Sequence, residues 1–113
     1  MASSKKDIFS EEDIQIAKIA KALSHPARLA ILRHLAGMDC CCFNKISDEI
    51  PLADSTVSQH LAELKKAGLV QGSIEPPRIQ YCMNISKWEE ARSLFDGFFS
   101  MEVKKYKKET IRG

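Results

Sequence analysis

The 113-residue sequence predicts a mainly α domain with one β-hairpin wing, in the order helices, hairpin, helix. Three observations carry that expectation. Apolar residues recur at three- and four-residue intervals in segments that end at good stop signals, Gly37 and Gly68. Two strand-like runs, residues 69–75 and 79–85, flank Glu75-Pro76-Pro77-Arg78, a stiff hairpin tip. A final aromatic-rich segment then resumes helical spacing. The length suits one domain with a modest core, and a 44% hydrophobic content is ordinary for a globular chain. Residues 10–108 are read as that domain, between flexible tails at 1–9 and 109–113.

The first helix should start near Ser10, because Ser10-Glu11-Glu12-Asp13 supplies a cap and first-turn acids. Ile16, Ala20 and Leu23 form its apolar stripe, widened by Ile14, Ala17 and Ile19. Ser24-His25-Pro26 restarts the chain, since proline suits the first helical position, and His25 is read as a capping and packing residue. The second helix runs through Ala27, Ile31 and Leu35 to Gly37. Residues 43–50 read as a short third helix halted by Pro51. Asp54-Ser55 should cap a fourth, with Val57, Leu61 and Leu64 facing inward and Gly68 as its stop. After the hairpin, a long last helix from Ser86 carries Trp88, Ala91, Phe95, Phe98 and Phe99, then the basic stretch at 104–108. Helix-turn-helix, then hairpin, then helix is a winged helix-turn-helix layout.

A formal charge of +2 permits nucleic-acid binding without requiring it, so the case rests on motifs. No apolar run reaches the roughly 18 residues of a membrane span, and none reads as a signal peptide, which places the chain in the cytoplasm and away from membranes. If Val57, Leu61 and Leu64 are buried, the opposite side of the fourth helix presents Ser55, Gln59, Ala62 and Lys66. Thr56, Ser58 and His60 flank that face. Recognition helices offer such short hydrogen-bonding side chains to base edges in the major groove. An ordinary amphipathic helix shows the same polar outer side. The hairpin that follows favours DNA, because Arg78 at its tip suits a phosphate or the minor groove, with Gln80 and Tyr81 as weaker contacts.

Two stretches resemble the ArsR/SmtB family of metalloregulatory winged helix-turn-helix repressors. They are Leu23-Ser24-His25-Pro26-Ala27-Arg28-Leu29-Ala30-Ile31-Leu32 and the run from Ser55-Thr56-Val57-Ser58-Gln59-His60-Leu61 through Ala62-Glu63-Leu64-Lys65-Lys66-Ala67-Gly68-Leu69-Val70. The resemblance extends over about residues 10–106. It implies a homodimer paired through its first and last helices, bound to operator DNA and released when an ion or other signal arrives.

The four cysteines of this chain read as thiols or metal ligands rather than a disulfide framework. Three are consecutive, Cys40-Cys41-Cys42. The family's arsenic sensors carry Cys-x-Cys at the start of the third helix, followed by an acid and an aliphatic residue. Cys40 and Cys42 reproduce that spacing, but Phe43-Asn44-Lys45-Ile46 supplies no acid, and the connection toward Ser58 is a residue or two longer. The chemistry points the same way, since trivalent arsenic and antimony favour three sulfurs in a pyramid. Cys40, Cys41 and Cys42 are therefore the candidate ligands of As(III), Sb(III) or another soft ion, with no cofactor needed for folding. Three adjacent side chains fan out, so all three need not reach one ion. Buried structural thiols are the alternative. The family's other sensor site uses aspartate and histidine on the last helix, and residues 86–113 contain no histidine. Cys82 reads as a half-buried core thiol, and His34 has no assigned role.

Two rival functions stay open. The same fold could sense thiol oxidation or persulfides. A small thiol enzyme or metal-handling protein would need a nucleophile with a partnered base, and the sequence offers neither a phosphate loop nor such a histidine, so the expectation is no enzyme.

Overall fold

A computed structural model of the chain describes residues 8–38, 46–75 and 78–105. Five helices and one hairpin follow in the expected order among those residues: α1 (Glu11–Ala22), α2 (Pro26–Ala36), α3 (Ile46–Glu49), α4 (Asp54–Lys66), β1 (Val70–Glu75), β2 (Arg78–Met83) and α5 (Ile85–Phe99). This is a winged helix-turn-helix.

Local chemistry sets most boundaries. The Ser10 hydroxyl accepts from the Asp13 amide and starts α1. Pro26 opens α2, and the His25 ring caps it by accepting the Ala27 amide at Nδ1, 2.9 Å away. At the end of α4, Gly68 takes φ 88°, the Gly68 amide donates to the Lys65 carbonyl, and Leu69 reaches back to the Leu64 carbonyl. That pair of bonds is a Schellman stop, and it turns the chain into the wing.

Three expectations are corrected. The fourth helix begins at Asp54 itself, with Ala53 as its cap and no side-chain cap bond, so Asp54 contributes a first-turn carboxylate instead. The second strand ends at Met83 because the Asn84 side chain accepts from the Lys87 amide and caps α5, which then starts at Ile85. On α1, Ile19 and Ala22 are buried while Ala17 and Ala20 are exposed, so the inward stripe is rotated from the one read off the sequence. The third helix is described only from Ile46 onward; its expected first residues, with Cys40, Cys41 and Cys42, lie outside the described residues.

The core joins every helix to the wing. Ile19, Ile31, Ile46, Leu64, Leu69 and Val70 are its largest fully buried side chains. Tyr81 brings β2 into the same cluster, and Ala91 brings α5. The hairpin is antiparallel, with Val70 opposite Met83 and Glu75 opposite Arg78. No helix among the described residues is long and apolar enough to cross a membrane.

Candidate nucleic-acid interface

The site grows from one periodicity. Val57, Leu61 and Leu64 are buried at three- and four-residue spacing, so α4 is held against the core on that side alone. The other side is therefore turned to solvent: Ser55, Ser58, Gln59, Ala62 and Lys66 are all exposed. Thr56 and His60 are half-buried on the flanks. Lys66 lies 3.6 Å from Glu63 in an exposed pair, too weak to compete seriously with a phosphate for its ammonium.

His60 is engaged inside the fold. Its Nδ1 accepts a hydrogen bond from Nε of Arg28, 3.1 Å away, and its ring lies 4.5 Å from the ring of His25. Burial first, then the charges at His25 and Arg28, push its pKa below the usual histidine value, so the neutral ring is the favoured form. The structure thus joins His60 to α2, while Ser55, Ser58, Gln59 and Lys66 share the open face.

The wing stands beside that face. Gln80 is exposed on β2, whereas Tyr81 is buried and belongs to the core. Arg78 begins β2 opposite Glu75, at the tip end of the hairpin, which puts it where a wing contact would arise; its side chain lies outside the described residues. Cys82 is half-buried in β2, in line with its sequence position. Among the described residues, no three His, Cys, Asp or Glu side chains converge as metal donors.

Two residues take part in this geometry without a signal in the sequence. Arg28 reaches His60 across 32 positions, and Lys65 donates from the last turn of α4 to the Gly72 carbonyl in β1. Neither contact has a local signature, since each depends on how separate elements pack.

Comparison with known proteins agrees with the geometry. Residues 25–71, from the cap of α2 to the start of the wing, match the model of the bacterial regulatory protein arsR family. An HTH-type transcriptional regulator of Methanocaldococcus jannaschii is 46% identical over 59 residues, 52% of this chain and 66% of that protein. The HTH-type transcriptional regulator YgaV of Escherichia coli is 37% identical over 67 residues, 59% of this chain and 68% of its own length. An HTH-type transcriptional regulator of Mycobacterium tuberculosis is 33% identical over 89 residues, 71% of this chain and 78% of its own. With an open polar face on α4, an adjoining wing and relatives of this kind, the chain belongs to the arsR family of bacterial regulatory proteins.

Proposed function

We propose that this transcriptional regulator is a cytoplasmic repressor that binds palindromic operator DNA as a homodimer. It leaves the DNA when Cys40, Cys41 and Cys42 capture a trivalent arsenical, antimonite or a similar soft species. The observation that carries the DNA reading is the exposed hydrogen-bonding face of α4, set beside a hairpin that can reach the backbone. The dimer reading rests on apolar surface left open on the last helix. Phe98 is 44% exposed, Phe99 73%, and Met101 and Val103 beyond them are exposed too. A monomer that small gains from covering such a patch with a second copy. A groove of about 400 Å³ lies between Ile19 of α1, Leu23 at its C-cap, and Trp88, Ala91 and Phe95 of α5, the two helices such a dimer would use.

The sensor reading rests on the donor set. Thiolates are soft ligands, and three of them suit the pyramidal preference of trivalent arsenic. They also stand a few residues before α3, whose Ile46 is buried in the core with Leu61 and Leu64 of α4. Capture that reorders the start of α3 would press on the recognition helix, and a coupling of roughly 1–3 kcal/mol suffices for a useful change in affinity. Regulation rather than catalysis is the activity assigned.

Fluorescence anisotropy of labelled DNA from upstream of the protein's own coding sequence tests this reading. Saturable binding by two chains per palindrome, reversed by arsenite, is expected. Binding that arsenite leaves unchanged but mild oxidants reverse would move the signal to thiol redox chemistry, and an absence of specific binding would contradict the reading outright.

A further inference from the structure

Arg28 stands where three helices meet. Its Nη1 donates to the carbonyls of Lys21 and Ala22 at the end of α1, each 3.4 Å away, and its Nε donates to Nδ1 of His60 on α4 at 3.1 Å. The residue itself lies in the first turn of α2 and is half-buried. The His25 ring lies 4.5 Å from the His60 ring, tilted by 47°, and its Nδ1 caps α2 through the Ala27 amide. One planar guanidinium therefore links the end of α1, the start of α2 and the middle of the recognition helix. Lysine could not copy that, because its single ammonium lacks the fixed fork of donors.

We propose that Arg28 is a positioning residue for DNA recognition, holding α4 at its working angle to α1 and α2 through the hydrogen bond accepted by His60. The proposal deepens the reading of α4 as the recognition helix and rests on it. Its force comes from what α1 does in that reading: α1 pairs with α5 to join the two subunits, so the angle between α1 and α4 sets the distance between the two recognition helices. That distance must match the half-site spacing of a palindrome, one helical turn of DNA. A brace across α1 and α4 therefore acts on specific affinity without touching a base.

The brace has a chemical signature. Nδ1 of His60 can accept from Arg28 only while the ring is neutral. Once protonated, that nitrogen carries a hydrogen and faces a like charge. Among the described residues, the charged or titratable groups set against the ring from packed elements are Arg28 on α2 and His25 at its cap. On its own helix, Glu63 pairs with Lys66. Acid should therefore release α4 from Arg28. A His60 that contacted phosphate directly would act in the opposite sense, since its protonation would strengthen binding.

The test is a double-mutant cycle read by anisotropy on operator DNA, with the full chain, from neutral pH down to about pH 5.5. Arg28→Ala and His60→Ala should each weaken specific binding about tenfold, as expected for removal of a charge-assisted bond, and the double variant should be no weaker than either. His60→Gln should retain affinity, because the amide oxygen can accept from Nε, and should remove the pH dependence. The parent should bind more weakly as the pH falls. Melting temperatures of each variant separate a failure of positioning from a failure of folding. Additive losses, a parent that binds more tightly in acid, or His60→Gln as weak as His60→Ala would overturn the proposal alone. A parent with no specific binding at any pH would overturn the DNA reading and this proposal with it.

Discussion

Lys65, in the last turn of α4, donates its ammonium to the carbonyl of Gly72 in the first wing strand. Helix and wing are thereby tied at the point where the strand requires glycine. Gly72 has φ 114°, and a Cβ there would lie 2.2 Å from the Gln80 carbonyl oxygen and 2.9 Å from the Tyr81 Cα. Both obstacles are backbone of the partner strand, so neither can swing aside. Gly72→Ala should destabilise the protein by on the order of 2 kcal/mol or more, lowering its melting temperature by several degrees. Thermal melts followed by circular dichroism check this, and a variant that melts with the parent would contradict the register described.

The elements legible in the sequence share a local cause. Ser10, Pro26 and Gly68 act on their own neighbours, and the spacing of Val57, Leu61 and Leu64 is written in consecutive residues. What the sequence hides depends on packing between distant segments. Ala17 and Ala20 look as apolar as Ala22, and only packing against distant elements such as α5 decides which is covered. The second strand reads as longer than it is because Ile85 continues the apolar run, whereas the Asn84 side chain is committed to capping α5. Position alone makes His60 a groove residue, yet its partner Arg28 lies 32 residues earlier.

The open face of α4 yields a second prediction. Gln59→Ala or Ser58→Ala should weaken specific operator binding by about 1–3 kcal/mol for each hydrogen bond to a base that is removed, with little change in stability because both residues are exposed. Arg78→Ala should instead weaken binding to all sequences and reduce the slope of log affinity against log salt by about one. Anisotropy on matched and mismatched duplexes across a salt series distinguishes the two effects. If both kinds of variant bind like the parent, the assumed winged-helix docking is wrong.

Stability should depend on pH through His60. Its folded pKa is lowered, chiefly by burial, so between that value and the ordinary histidine value of about 6.5 the unfolded chain binds more protons. The His60 contribution is therefore fully present above about 6.5 and is lost as the pH falls through the folded pKa. Urea melts at stepped pH should show stability declining in that acid window, and His60→Gln should flatten this part of the profile. A decline of equal size in both proteins would assign it to other groups.

Phe99 is the most exposed aromatic of the last helix and contributes little to the core of a single chain. Phe99→Glu should leave the fold intact and break the dimer, because a charge buried between subunits is costly without a partner. Light scattering coupled to size exclusion should give the mass of one chain for the variant and two for the parent. A dimeric variant would place the subunit interface elsewhere.

The sensor assignment is tested most directly by titrating arsenite, under reducing conditions, into the protein bound to labelled operator DNA. Cys40, Cys41 and Cys42 changed together to serine should preserve operator binding, since the recognition helix is untouched, and should abolish release. Single changes should rank the ligands, with Cys41 and Cys42 mattering most and Cys82→Ser nearly silent. Zinc at the same concentration should do little, because three sulfurs leave a tetrahedral ion short of a ligand. Release by arsenite in the parent and none in the triple variant is the predicted result; release that persists without the three thiols would contradict it.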